Sequence, residues 1–124
     1  MINGYIYIGD NIFDSLLAIS SEEQTKGLMY EKDPKIMSFI YLKPRINKFW
    51  MKNTPAPLDI VFCYNGKISQ IHKGEPFSTK VIGNDEYSDL IIELPFGTIA
   101  SSNIKLGNEA GLIKPTIAEL SNYF

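Results

Sequence analysis

Asn65-Gly66, set between the apolar runs Leu58–Tyr64 and Lys67–His72, constrains the fold of this chain more than any other dipeptide in it. A two-residue hairpin loop of type I′ needs positive φ at both central positions, and Asn followed by Gly supplies it with little strain. Two antiparallel strands are therefore expected, and the loop length sets their register. Tyr64 should oppose Lys67, Cys63 oppose Ile68, Val61 oppose Gln70 and Asp59 oppose His72. Opposed residues share a face, with Cβ atoms about 4.5–5.5 Å apart, so an acid and the chain's only histidine are expected as neighbours.

The apolar rhythm elsewhere is mostly period 2, the strand signal. Tyr5–Ile8 and Ile12–Ala18 read as a hairpin turning at Asp10-Asn11, and further strands are expected at 36–42, 46–52 and 90–94. Ser20 or Ser21 can cap a short helix with Glu23 or Gln24 as the reciprocal partner, and Gly27 can stop it. A second short helix is expected at about 98–103. A third, at about 116–123, is signalled by Thr116 with Glu119 and by Ile117, Leu120 and Phe124 on one face. Strands dominate, so residues 1–124 are expected to form a single mainly β (α+β) domain. Its sheet should be antiparallel, curled or barrel-like, with two or three short helices.

Composition narrows the function classes. The net charge of −2 argues against nucleic acid as a partner, because that affinity comes chiefly from clustered cations. The single cysteine, Cys63, excludes an internal disulfide and a thiolate zinc cage, and mid-strand it reads as a small buried hydrophobe. No apolar run approaches the ~18 residues of a membrane span, so no membrane partner is expected. Met1-Ile2-Asn3-Gly4 lacks the cationic-then-apolar order of a signal peptide, which points to the cytoplasm. Eleven Lys against one Arg, with abundant Ile and Asn, suit an AT-rich phage or small-genome bacterial source. No Gly-rich phosphate loop, HExxH or CxxC is present, so neither a cofactor nor a metal is expected.

The segment Phe49-Trp50-Met51-Lys52-Asn53-Thr54 with Pro57-Leu58-Asp59 resembles the signature of the DUF192 (UPF0127) family of small proteins without an agreed activity. Glu22 through Met29, with its Gly27-Leu28-Met29, and Glu93-Leu94-Pro95-Phe96-Gly97 extend the resemblance over residues 20–107, leaving the C-terminal helix outside it. Arginines commonly flank Gly-Leu-Met in that family. Here the positions read Gln24 and Glu31, so a role resting on those arginines does not transfer.

Alternation places Phe49, Met51 and Asn53 on one face of the signature strand, with Trp50 and Lys52 on the other. For Trp50 alone, core packing is the simpler reading. For the group Trp50, Lys52, Asn53 and Asp59 it is insufficient, since packing gives no reason for an ammonium, an amide and a carboxylate from 52 to 59. These four are the candidate ligand-binding residues. They are expected to converge on one partly apolar concavity that holds a small polar or anionic ligand or a peptide end. Asp59 and His72 are candidate catalytic residues for the alternative, a small enzyme using acid–base chemistry, although a cross-strand ion pair is the simpler account of them. A third reading is a protein–protein interaction module. Glu93 alternates with Ile91 and faces either the motif strand or solvent.

Overall fold

The computed structural model covers Met1–Phe124 and contains one curled seven-stranded sheet. The strands are β1 (Ile2–Ile8), β2 (Asn11–Ala18), β3 (Met37–Ile46), β4 (Leu58–Tyr64), β5 (Lys67–Gly74), β6 (Tyr87–Pro95) and β7 (Ala110–Lys114). They lie in the order β5-β4-β6-β3-β2-β1-β7. All neighbours are antiparallel except β2 and β3, which run parallel, a departure from the expected wholly antiparallel sheet. The sheet curls until its edges meet: Lys67 bridges Glu109, and the Ile68 amide donates to the Asn108 carbonyl at 2.9 Å. No helix is long and apolar enough to cross a membrane.

Two apolar clusters cover the two faces. Ile6, Leu17, Val61, Cys63, Ile92 and Leu94 belong to the cluster inside the curl, which Leu120 of the C-terminal segment joins. Met37, Phe39, Leu58, Ile60, Phe62 and Ile91 form the second on the outer face. β4 contributes to both, and six consecutive residues, Leu58–Cys63, are buried. An outer face this apolar needs a cover, and the chain supplies it in two pieces.

The first piece is the crossover that parallel strands require. It carries α1 (Ser21–Lys26), started by the expected capping box: Ser20 Oγ accepts from the Glu23 amide, and Glu23 Oε1 accepts from the Ser20 amide, both at 3.1 Å. Gly27, at φ 50°, stops the helix, and Leu28 enters the outer cluster. The second piece is the segment after β3. The expected strand over 46–52 does not form. β3 itself runs on to Ile46, and the signature residues are pinned by a bridge between Phe49 and Ile82 and by the Met51 amide donating to the Ser78 carbonyl at 2.9 Å. The expected alternation survives without a strand: Met51 is fully buried and Phe49 stacks edge-on against Phe39 and Phe62, while Trp50 and Lys52 point outward.

Other boundaries shift. The first hairpin turns at Gly9-Asp10, because Gly9 takes the positive φ (58°) that the turn needs. β7 was unanticipated from the sequence, where Gly111 breaks its short apolar run. The C-terminal segment makes the Thr116–Glu119 capping contacts, yet continues only as turns and a 3-10 turn at Ser121–Tyr123 rather than as an α-helix.

Trp50 is 47% exposed, which overturns the expectation that it is a core residue. Trp50→Ala should therefore cost less than about 1 kcal/mol, whereas Phe62→Ala, at a fully buried position, should cost about 3–5 kcal/mol. Chemical denaturation of the two variants beside the parent checks the ordering.

Candidate functional site

The two covering pieces touch where the Tyr30 amide meets the Asn53 carbonyl, but they do not close over the whole outer face. Between them lies a cleft of about 470 Å³ whose floor is the outer face of β3 and β6, with Phe39, Tyr41 and Glu93. Gln24, Lys26 and Leu28 line the crossover side, and Arg45, Asn47 and Trp50 the other. A second hollow of about 680 Å³ beside β1 and β2 includes Asp14 and Lys35 and contains no buried ionisable group.

Glu93 is the unusual residue of the cleft. It is 4% exposed, and its cross-strand partners, Met37 and Ile60, are both buried and apolar. Gly27 passes close over it: a Cβ there would lie 3.5 Å from Glu93 Oε1 and 3.4 Å from Phe39 Cζ. Burial alone pushes the carboxyl up to about 8, with no cation or N–H group opposing the shift. At neutral pH it is a carboxylic acid.

The chain's one arginine flanks the same cleft. The Arg45 guanidinium lies 4.3 Å from the centroid of the Tyr41 ring, and its Nε donates to Asn47 Oδ1 at 2.8 Å. Asn47 in turn donates to Ser88 Oγ at 2.7 Å, which fixes the wall to β6. Arg45 has no carboxylate partner, whereas Lys48 pairs with Asp85 at 2.8 Å and Lys26 approaches Glu31 at 3.9 Å. Burial raises the Tyr41 phenol above its ordinary value; the Arg45 charge opposes the rise and the Glu93 charge adds to it.

The candidate residues named from the sequence separate. Trp50 lines the cleft, and the Lys52 ammonium sits 5.1 Å from the Trp50 ring centroid, at the outside of that wall. Asn53 takes φ 58°, and its carbonyl accepts from the Tyr30 amide at 2.8 Å, tying the two covering pieces together. Asp59 is not brought to them. It lies on the opposite face of β4, where Oδ2 accepts from the Gly97 and Ile99 amides, each at 3.0 Å, and fastens the turn into α2 (Thr98–Ser101).

Asp59 and His72 are not paired either. The hairpin begins in the expected register, Tyr64 with Lys67 and Cys63 with Ile68, and then slips by one at Ser69, so that Phe62 faces Gln70, Ile60 faces His72 and Asp59 faces Lys73. A bulge puts one extra residue on β5 and turns every later side chain to the other face. Ser69 Oγ marks the slip by donating to the Phe62 carbonyl at 3.2 Å. His72 consequently packs edge-on against Phe62, its Nε2 is 2.8 Å from Gln70 Oε1, and burial lowers its pKa. Since Gln70 Oε1 also accepts from the Asn84 amide, the imidazole is the donor in that contact. Cys63 is fully buried, and its thiol is pushed up to about 12 by burial and then by the Asp89 charge, as suits an inert hydrophobe.

Arg45, Gln24 and Tyr41 escaped the sequence reading as cleft residues, and Glu93 was left between two faces. The alternation of Glu93 with Ile91 was the available signal for Glu93. None existed for Arg45, whose approach to the cleft depends on the irregular pairing of β3 with β6 between Ile40 and Arg45.

The model of the family DUF192, “Uncharacterized ACR”, matches residues 6–112. The chain belongs to DUF192. The match takes in the end of β1, all of β2 and the first part of β7, beyond the span of 20–107 expected from the signature. This DUF192 domain is similar to a solved protein of unknown function from Novosphingobium aromaticivorans, with 27% identity and a TM-score of 0.82 over 88% of this chain and 84% of that one. It is also similar to a candidate transcription regulator from Sinorhizobium meliloti, with 26% identity and a TM-score of 0.84 over 90% of this chain and 94% of that one. No curated protein matches it. Gln24, at one of the family's arginine positions, donates to the carbonyls of Ala18 (3.1 Å) and Ile40 (3.2 Å) and so holds α1 to the sheet.

Glu93 makes the stability of the domain depend on pH. Unfolded, the carboxyl titrates near its ordinary 4.5; folded, near 8. Between those values the folded state keeps a proton that the unfolded state has lost. The Glu93 contribution is thus complete below about pH 4.5 and falls by about 1.4 kcal/mol per unit as pH rises towards 8. Denaturation from pH 5 to 8 should show parental stability falling relative to Glu93→Gln, which has no proton to lose. Parallel profiles for the two proteins would exclude Glu93 as the titrating group.

Proposed function

We propose that this DUF192 domain is a binding module that holds a small polar or anionic ligand in the cleft between α1 and Trp50. The observation that carries the proposal is Arg45, a guanidinium beside a partly apolar cleft with no carboxylate to neutralise it. A planar guanidinium suits a carboxylate or phosphate, which it can meet with two parallel N–H bonds. Trp50 offers an apolar face beside it, and Lys52, next to that ring, adds positive charge at the rim. Such a mixture of aromatic wall and a few polar groups is usual for small-molecule sites. The cytoplasmic location is part of this proposal, and the free, buried Cys63 suits a reducing compartment.

The test is a thermal-shift screen of small carboxylates, phosphates and nucleotides, followed by calorimetry on the compounds that stabilise. Arg45→Gln should weaken the best ligand at least tenfold, and Trp50→Ala should weaken it while leaving the fold intact. Unchanged affinity in both variants would move the site elsewhere.

The description of the Sinorhizobium protein raises DNA binding as a second role to test. The net charge of −2 argues against it, as does the engagement of Lys48 with Asp85. No submicromolar binding to a random duplex is expected at physiological salt. Salt-sensitive retardation of such a duplex at submicromolar protein would overturn that expectation.

A further inference from the structure

Arg45 and Glu93 line one cleft, yet no ion pair joins them: Arg45 takes part in no salt bridge, and burial is the only influence on the Glu93 carboxyl. Tyr41 lines the same cleft, with the guanidinium over its ring. The cleft therefore keeps a cation and an acid apart. Gln24 and Asn47 line the same space, but their amide N–H groups are committed to the Ala18, Ile40 and Ser88 acceptors, which leaves Glu93 as the acid there without a protein partner. A carboxyl surrounded by Met37, Ile60 and Phe39 destabilises the fold wherever it must ionise, and an amide of the same shape would not. What a carboxyl offers and an amide lacks is a full negative charge for a cation. The exposed Trp50 ring along the cleft suits a cation too.

We infer that the ligand of this cleft is a zwitterion, an amino acid or peptide-like compound whose carboxylate meets Arg45 and whose ammonium meets Glu93. This rests on the cleft being the binding site, as proposed above, and adds the identity of the second pole. The proton accounting is simple. The ammonium arrives already protonated; Glu93 releases its own proton to solvent and becomes the carboxylate of a new ion pair. The other charged or titratable groups of the cleft are Tyr41 and Arg45 on β3, Lys26 at the end of α1, and Lys48, and the two lysines have acidic partners of their own. None is placed as a competing acceptor for the ammonium.

The experiment is calorimetry at pH 7 with straight-chain amino acids bearing the amine on the terminal carbon, from four to eight carbons, against the matched carboxylates and the matched alkylamines. The best amino acid should bind at least tenfold more tightly than either matched control. Titrations in buffers of different ionisation enthalpy should show release of most of one proton for each ligand bound. Glu93→Gln, close in shape and expected to fold, should reduce the amino acid to the affinity of the carboxylate and abolish proton release. Arg45→Gln, at an exposed position, should reduce it to the affinity of the amine. Carboxylates binding as tightly as amino acids, unaffected by Glu93→Gln, would overturn the zwitterion and leave the anion site standing. Amines binding as tightly as amino acids would overturn the part assigned to Arg45, and the zwitterion with it. Failure of all three series in the parent protein would overturn both the zwitterion and the cleft as its site.

Discussion

β4 and its neighbour β6 are apolar on both faces, and the rest of the molecule answers to that. Leu58, Ile60 and Phe62 leave β4 on one side while Val61 and Cys63 leave it on the other. Curling the sheet satisfies the inner face, since strands facing one another across the curl share a core. The outer face has no second sheet to lie against. Only irregular chain remains, and irregular chain covers a face in patches. The crossover between the parallel strands β2 and β3 covers one part, and the segment from Asn47 to Thr54, braced by Ser78 and Ile82, covers another. The cleft is the space those two leave, so the candidate site follows directly from the way the outer core is covered.

Asp59 and Glu93 show how the two faces separate the roles of similar residues. They sit on neighbouring strands, with Asp59 opposite Leu94 and Ile60 opposite Glu93, and they differ by one step in register. That step sends their carboxyls to opposite sides. Asp59 meets two backbone amides at the start of α2 and spends its hydrogen-bonding capacity on holding a turn. Glu93 meets Met37, Ile60 and the underside of Gly27, and no amide or cation is set against it. The first arrangement accounts for its carboxyl within the fold. The second does not, and an acid whose partner is absent from the fold points to one that arrives from outside.

The sequence was most legible where a local rule needs no distant information. Asn65-Gly66 gave the hairpin, Ser20 with Glu23 the start of α1, and period-2 apolarity the mainly β architecture. It was least legible where one residue changes the sense of everything after it. Ser69 looks like an ordinary strand residue, yet as a bulge it moves His72 to the outer face and dissolves the pair expected with Asp59. The same difficulty affected Trp50. Alternation placed it opposite Phe49 and Met51, and the structure keeps that alternation. What alternation could not say was which side had a core to fill. The C-terminal segment shows the limit of capping signals: Thr116 and Glu119 make their contacts, but Leu120 turns in to the inner core and the backbone continues as a 3-10 turn.

The signature that marks the family therefore works chiefly as a wall. Phe49 and Met51 bury themselves in the outer cluster, Asn53 adopts a left-handed conformation so that its carbonyl can take the Tyr30 amide, and Thr54 accepts the Phe77 amide on its own carbonyl. Those bonds tie the signature to the crossover on one side and to the β5–β6 connection on the other. Trp50 is left free to face the cleft because its neighbours hold the backbone. A rigid wall around an acid without a partner keeps that acid from collapsing onto a cation of its own fold. Arg45, a cation of the same cleft without an acidic partner, is occupied by Tyr41 and Asn47. Keeping these two groups apart requires the floor strands, the bracing of the wall and the close passage of Gly27 together. This connects the apolar core of the outer face to the chemistry above it.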